Sequence, residues 1–152
     1  MPTTTIRIGE ADFNVAEETQ KLSKSGEAGA VVSFLGVVRN ANEGDQVYAM
    51  ELEHYPGMTE KALGKIVNLA RERWTLGDIT VIHRVGKLLP GDQIVLVLVA
   101  SAHRKEAFEA CEYIMDWLKT EAPFWKKEHT PDGPRWVDAR ESDEQAKRRW
   151  QS

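Results

Sequence analysis

Two short stretches gather the residues most able to do chemistry. In "LKTEAPFWKKEHT", residues 118–130, Lys119, Lys126 and Lys127 surround an Ala-Pro-Phe-Trp turn. Pro123 fixes its own φ and biases Ala122 away from helix, while Phe124 and Trp125 demand burial, so the lysines sit on a stiff and anchored segment. In "SAHRKEAF", residues 101–108, His103, Arg104 and Lys105 fall at the predicted start of a long helix. A helix N-terminus carries partial positive charge, so each exposed cation there costs on the order of 0.3–1 kcal/mol unless an anion is bound among them. Exposed amides beside basic side chains form an anion site, with phosphate the usual occupant.

Each of these features also has a plain structural explanation. The basic turn can simply be solvated, with Glu106 or Glu109 offsetting it. Lys119 stands at a helix C-terminus, where a cation is favourable without any function. Lys126 and Lys127 are neighbours in a predicted strand and point to opposite faces, so at most one easily shares a pocket with Lys119, while Glu128 returns to the Lys126 side. Arg39 ends a strand, where an arginine is more often a surface or ion-pair residue. Its place after Gly36, which permits close backbone approach, and beside the polar loop "NANEGD" raises its standing as a ligand. Cys111 lies in an apolar helix stripe and reads as a small core residue rather than a nucleophile.

The chain has to position these groups with 152 residues, 41% hydrophobic and 29% charged, which suits one core and one domain, residues 1–152. A net charge of −4 argues against a broad nucleic-acid surface, though not against a local basic pocket. The single cysteine excludes an internal disulfide framework, and four scattered histidines lack zinc-site spacing, so no metal is expected. The longest apolar run, Ile94 to Ala100, is too short to span a bilayer, and the first residues lack the pattern of a secretory signal. A soluble, cytoplasmic protein is expected.

Periodicity supplies the elements. "TTTIRIGE" alternates as a strand, and a helix is predicted from Asp12, as N-cap, to Leu22. "GAVVSFLGVVR" reads as a buried strand, followed by a mobile polar loop and an antiparallel strand, "QVYAMELEHY". Pro56-Gly57 turns the chain into a helix whose apolar face comprises Ala62, Leu63, Ile66, Val67, Ala70 and Trp74. "DITVIHRVG" and "QIVLVLVASA" form a hairpin through a type II turn at Pro90-Gly91. A helix over about Arg104–Lys119 packs on the sheet; "FWKKEHT" and "RWVDA" form a second hairpin around "PDGP", and "ESDEQAKRRW" closes as a short helix. The sum is an α+β sandwich.

Taken in order, "FLGVVR", "LEHYPGMTEKAL", "VIHRVG", "PGD", "SAHR..AF", "LKTEAPFWKKE" and "RWVDA" resemble the large, catalytic subunit family of molybdopterin synthase, also called molybdopterin-converting factor subunit 2, over nearly the whole chain. The resemblance implies an α/β hammerhead-type fold, mainly antiparallel, with a small additional antiparallel β subdomain. It implies a homodimer that binds a small ubiquitin-like sulfur-carrier subunit at each end, giving a heterotetramer. The implied activity converts cyclic pyranopterin monophosphate to molybdopterin with sulfur from the thiocarboxylated C-terminal glycine of that partner, with no cofactor. Carried over by position, Arg39, His103 and Arg104 hold the anionic substrate and Lys119 and Lys126 work at the reacting carbons. Lys127 and Glu128 line the same wall, with the backbone of Val37 and Val38. Some relatives have a basic residue where this chain has Val37, so only a backbone contact is expected there. His103 and Lys119 lie about 24 Å apart along one helix, so a site containing both must be composite, with His103 and Arg104 from a second subunit. The competing readings are a non-catalytic adaptor for a ubiquitin-like tail and, less supported by the charge, a small RNA-binding module.

Overall fold

The computed structural model describes residues 2–42, 45–137, 141–148 and 150–151. Asp138 and Ala139 of "RWVDA", and the middle of the "NANEGD" loop, lie outside them. The main sheet is built from β1 (Thr4–Gly9), β2 (Ala30–Val37), β6 (Ile79–Arg84) and β8 (Gln93–Ser101), in the order β1-β6-β8-β2. β1 runs parallel to β6 and the remaining pairs are antiparallel. Helices α2 (Met58–Arg73) and α3 (Arg104–Glu121) cover one face, packing on Ile79, Val81, Val95, Val97 and Val99. Helix α1 (Val15–Ser23) covers the other through Leu22, against Ile82, Leu96 and Leu98. That double cover explains why β8 is an almost unbroken apolar run rather than an alternating one.

A second, wholly antiparallel sheet is ordered β10-β9-β5-β7, from β5 (Ala49–His54), β7 (Gly86–Leu88), β9 (Phe124–Thr130) and β10 (Gly133–Val137). It has its own small core of Val38, Met50, Leu52 and Leu88. The expected α+β arrangement with an added antiparallel unit is therefore present. Two short strands, β3 (Ala41–Asn42) and β4 (Asp45–Gln46), pair across the polar loop, and α4 (Glu141–Arg148) follows the second hairpin. Near the chain end, Trp150 packs edge-on against Trp74 and Tyr113, and the Arg73 guanidinium lies 5.3–5.4 Å from all three rings. Among the described residues, no helix is long and apolar enough to cross a membrane.

Several expectations change in detail. β2 is not a buried strand but an edge, with Phe34, Leu35 and Val37 39%, 40% and 43% exposed. An uncharged β-branched run has the same sequence whether its cover comes from within the chain or from outside it. The N-cap of α1 is Asn14, whose side chain accepts the Glu17 N–H at 3.0 Å, while the Asp12 carboxylate is taken by the Phe13 N–H and the Gln93 amide. The β6–β8 hairpin forms, and its turn closes through Asp92 N–H to Leu89 O at 2.9 Å, with Gly91 at φ 92°. Between the two strands, Gly86 at φ 85° diverts the chain, so that β7 leaves the first sheet and joins β5 of the second. This diversion ties the two sheets together.

The start of α3 is set by a close backbone approach. Gly29 donates to Ser101 O at 2.9 Å, and a Cβ on Gly29 would stand 2.2 Å from the carbonyl oxygen of Ala102, immediately before the helix N-cap. Neither backbone can give way cheaply. Gly29→Ala is expected to destabilise the fold by roughly 1–3 kcal/mol, read as a lower denaturation midpoint in urea; an unchanged midpoint would contradict this packing.

Candidate active site

A cavity of about 460 Å³ opens where the two sheets meet. One wall is the end of β2, from Phe34 to Arg39. A second is the last turn of α3 with Lys119 and Thr120, and a third is the row Phe124, Lys126, Glu128 of β9, with His83 of β6 also lining it. The size is that of a small-molecule site.

The turn between α3 and β9 brings the two lysines together. Ala122 is already extended at φ −72°, ψ 135°, because the following proline disfavours helix there. Phe124 N–H then bonds Ala122 O at 2.8 Å, closing a three-residue turn centred on Pro123. From that point side chains alternate. Phe124, Lys126 and Glu128 lie opposite His54, Leu52 and Met50, on the cavity side. Lys127 faces the other way and places its ammonium 5.6 Å from the centre of the Trp136 ring. Lys119 and Lys126 thus share the cavity; Lys127 does not line it.

The two aromatic rings are anchored in opposite directions. Phe124 stacks on His83 with centroids 3.9 Å apart and planes 18° apart, and lies 6.2 Å from His54. Trp125 packs on Tyr55 at 4.7 Å. His83 is only 5% exposed, and its Nδ1 is 2.8 Å from the carbonyl oxygen of Arg84. A carbonyl accepts only, so Nδ1 carries the proton of the neutral ring. Burial pushes the His83 pKa down to about 4; the Arg84 carbonyl opposes this, and the charge of Lys119 and, last, His54 add to the lowering. Glu128, 3% exposed, is held in an ion pair with Arg135 of β10 at 3.2 Å. That pairing keeps a buried carboxylate on the wall without leaving it uncompensated.

The remaining candidates divide. Arg39 and the backbone of Val37 and Val38 border the cavity. The Val38 N–H is already given to Asp92 O at 2.9 Å and its carbonyl accepts the Gly91 N–H at 2.9 Å, while Val37 is paired with Gln93 of β8. His103 and Arg104 are exposed at the far end of the 18-residue α3 and do not line this cavity. His103 is the N-cap residue and makes no side-chain capping bond, so side-chain capping leaves the first amides of α3 available. Sequence reasoning missed His83, Phe34 and Arg135. A polar ring inside the apolar strand "ITVIHR" was a signal for His83, whereas Arg135 depends on the β9–β10 register, in which it lies opposite Glu128.

Comparison with known proteins gives the family and the fold. Residues 8–121 match the family model described as MoaE protein. The chain is 62% identical to the Escherichia coli K12 molybdopterin synthase catalytic subunit, over 99% of this chain and all of that one. This chain belongs to the MoaE family. Among solved structures it is similar to the molybdopterin biosynthesis MoaE protein from Burkholderia ambifaria, at 54% identity and a TM-score of 0.84 over 99% of both chains. It is also similar to the molybdopterin synthase from Staphylococcus aureus, at 34% identity and a TM-score of 0.80 over 87% of this chain and 96% of that one. In this MoaE family member, then, a cavity carrying two lysines lies inside a fold shared with those proteins.

The buried histidine has a measurable consequence. Its folded pKa, about 4, lies below the ordinary 6.5, so the unfolded chain takes up the proton first as pH falls. The stability that neutral His83 contributes is complete above pH 7 and lost between pH 6.5 and 4. It amounts to about 3 kcal/mol in all, of which about 2 kcal/mol is gone by pH 5. Urea unfolding at pH 7.5 and pH 5 is expected to show a smaller loss for His83→Phe than for wild type; equal losses would show that His83 titrates normally.

Proposed function

We propose that this chain is the catalytic subunit of a molybdopterin synthase, converting cyclic pyranopterin monophosphate to molybdopterin with sulfur from the thiocarboxylated C-terminal glycine of a small ubiquitin-like partner. The observation that carries this reading is the convergence of Lys119 and Lys126, from two different elements, on one cavity bordered by Arg39. Each lysine can move a proton or stabilise the oxyanion that forms when the thiocarboxylate adds. The Pro123 turn and the ring anchors hold both at fixed positions, which such a step needs. No protein nucleophile is required, because the sulfur arrives on another chain. The pterin is substrate here, and no resident cofactor enters the reading. An adaptor that only held a ubiquitin-like tail would have no use for two converging lysines.

The substrate's phosphate suits a guanidinium and a helix N-terminus together. Arg39 supplies the first within the cavity, and the α3 start with His103 and Arg104 supplies the second from outside it. In this reading residues 1–152 fold as one domain and two copies form a cytoplasmic dimer. Each copy extends the start of its α3 to the other's cavity, and a small partner binds at each end to complete a heterotetramer. Exposure of Phe34, Leu35 and Val37 beside the cavity supports an external cover there. Glu128, fixed by Arg135, shapes the wall near Lys126, while Lys127 serves outside the cavity.

Purified protein with thiocarboxylated partner is expected to convert the precursor to the dithiolene product, and Lys119→Ala to lose several orders of magnitude in rate while retaining partner binding. Absence of product from wild type would favour the adaptor. Subunit mixing tests the composite site. Lys119→Ala and Arg104→Ala chains are each expected to be nearly inactive alone. Unfolded and refolded together, they should regain about one quarter of wild-type activity, since about half of the dimers then hold one intact site. No recovery would mean that all the residues act within one chain.

A further inference from the structure

His83 has no part in the function proposed above, yet its surroundings are not those of a residue that merely fills space. The Phe124 stack could be made by another phenyl ring, with no polar ring to bury. Burying a histidine instead costs free energy unless its nitrogens find partners. Nδ1 is satisfied locally, by the carbonyl of Arg84. Nε2, which carries the lone pair of that tautomer, makes no hydrogen bond among the described residues, to Lys119 included, and the ring lines the cavity that Lys119 enters. Lys119 is close enough for its charge to act on the ring. The ring cannot swing away, because Phe124 lies flat against it at 3.9 Å.

We propose that His83 is a positioning residue for Lys119: stacked on Phe124, it holds the Nε2 lone pair on the cavity wall as the acceptor that the Lys119 ammonium takes up during the reaction, and so fixes where that ammonium then stands. The donor is the lysine N–H and the acceptor the imidazole nitrogen, so no proton need leave either group for the contact to form. The stack links this contact to Lys126 as well. Phe124 closes the Pro123 turn and is the first residue of β9, the strand that carries Lys126, so one ring sets the spacing of both lysines. The proposal rests on the reading of Lys119 as the reacting lysine.

The test uses the full chain in complex with its thiocarboxylated partner and compares wild type, His83→Phe and His83→Gln. Phenylalanine keeps the stack and removes the acceptor; glutamine keeps an acceptor and removes the ring. His83→Phe is expected to lower kcat roughly 10- to 100-fold with KM for the precursor changed less than about 3-fold, as for a reacting group held out of place. His83→Gln is expected to recover part of that loss. A second readout needs no turnover: the rate at which acetic anhydride acetylates Lys119, followed by site-resolved mass spectrometry at fixed pH. Loss of the acceptor destabilises the ammonium, so Lys119 is expected to react faster in His83→Phe, with the Lys126 rate unchanged. Equal Lys119 rates in wild type and His83→Phe, or equal kcat values, would overturn the proposal and leave His83 as core filling. If His83→Phe does not fold, His83→Met, a flexible apolar filler, takes its place under the same criteria. Should wild type make no product, the synthase reading fails, and the acetylation rates still decide whether His83 holds Lys119.

Discussion

Ala122, Pro123 and Phe124 form the joint on which the cavity depends. Before it, the chain is a helix packed on the first sheet; after it, a strand in the middle of the second. Pro123 forbids the helix from continuing and the Phe124 N–H bond to Ala122 closes the turn in the fewest residues possible. A longer connection would let the α3 terminus and β9 drift apart, and with them Lys119 and Lys126. The ring anchors then convert a local backbone constraint into a global one. Phe124 is seated on β6 of the first sheet and Trp125 against Tyr55, just past the end of β5, so the joint is pinned from both sides.

Much of this was legible from local pattern. Alternation located β9 and correctly separated Lys126 from Lys127, because a period of two is a property of any strand. The 3.6-residue stripe fixed α3 closely enough to show that His103 and Lys119 stand at opposite ends. Long-range facts were not legible. β7 is three residues long and pairs with a strand more than thirty positions earlier, and nothing in "GKL" announces a change of sheet. Asn14 displaced Asp12 as the cap of α1 because Gln93, a distant residue, claims the Asp12 carboxylate. The edge position of β2 escaped notice for a similar reason, since composition records that a strand is apolar and not which neighbour covers it.

Helix α3 also constrains assembly. Eighteen residues make a rod about 27 Å long, buried along one face on the main sheet and unable to bend its two ends toward a common ligand. Its C-terminal end delivers Lys119 to the cavity, and its N-terminal end presents uncapped amides and basic side chains to the outside. The exposed apolar row of β2 borders the same cavity. The open edge of β2 and the exposed start of α3 are the two surfaces that the assembly proposed above would cover.

Cys111, the single sulfhydryl of the chain, is buried in the core against Val97, and burial, helped by the charge of Glu112, pushes its pKa to about 12. At neutral pH its thiolate fraction is vanishingly small, and the thiolate is the form that attacks sulfur. In the reaction proposed above, a reactive protein thiolate near the thiocarboxylate would attack its acyl carbon, forming a thioester and expelling the sulfur as hydrosulfide before it reached the substrate. By placing its one thiol behind an apolar helix face, the fold keeps that thiol out of such chemistry. Thiol-directed oxidants find no accessible sulfhydryl here, and in the proposed reaction the arriving sulfur meets no protein thiol in the cavity.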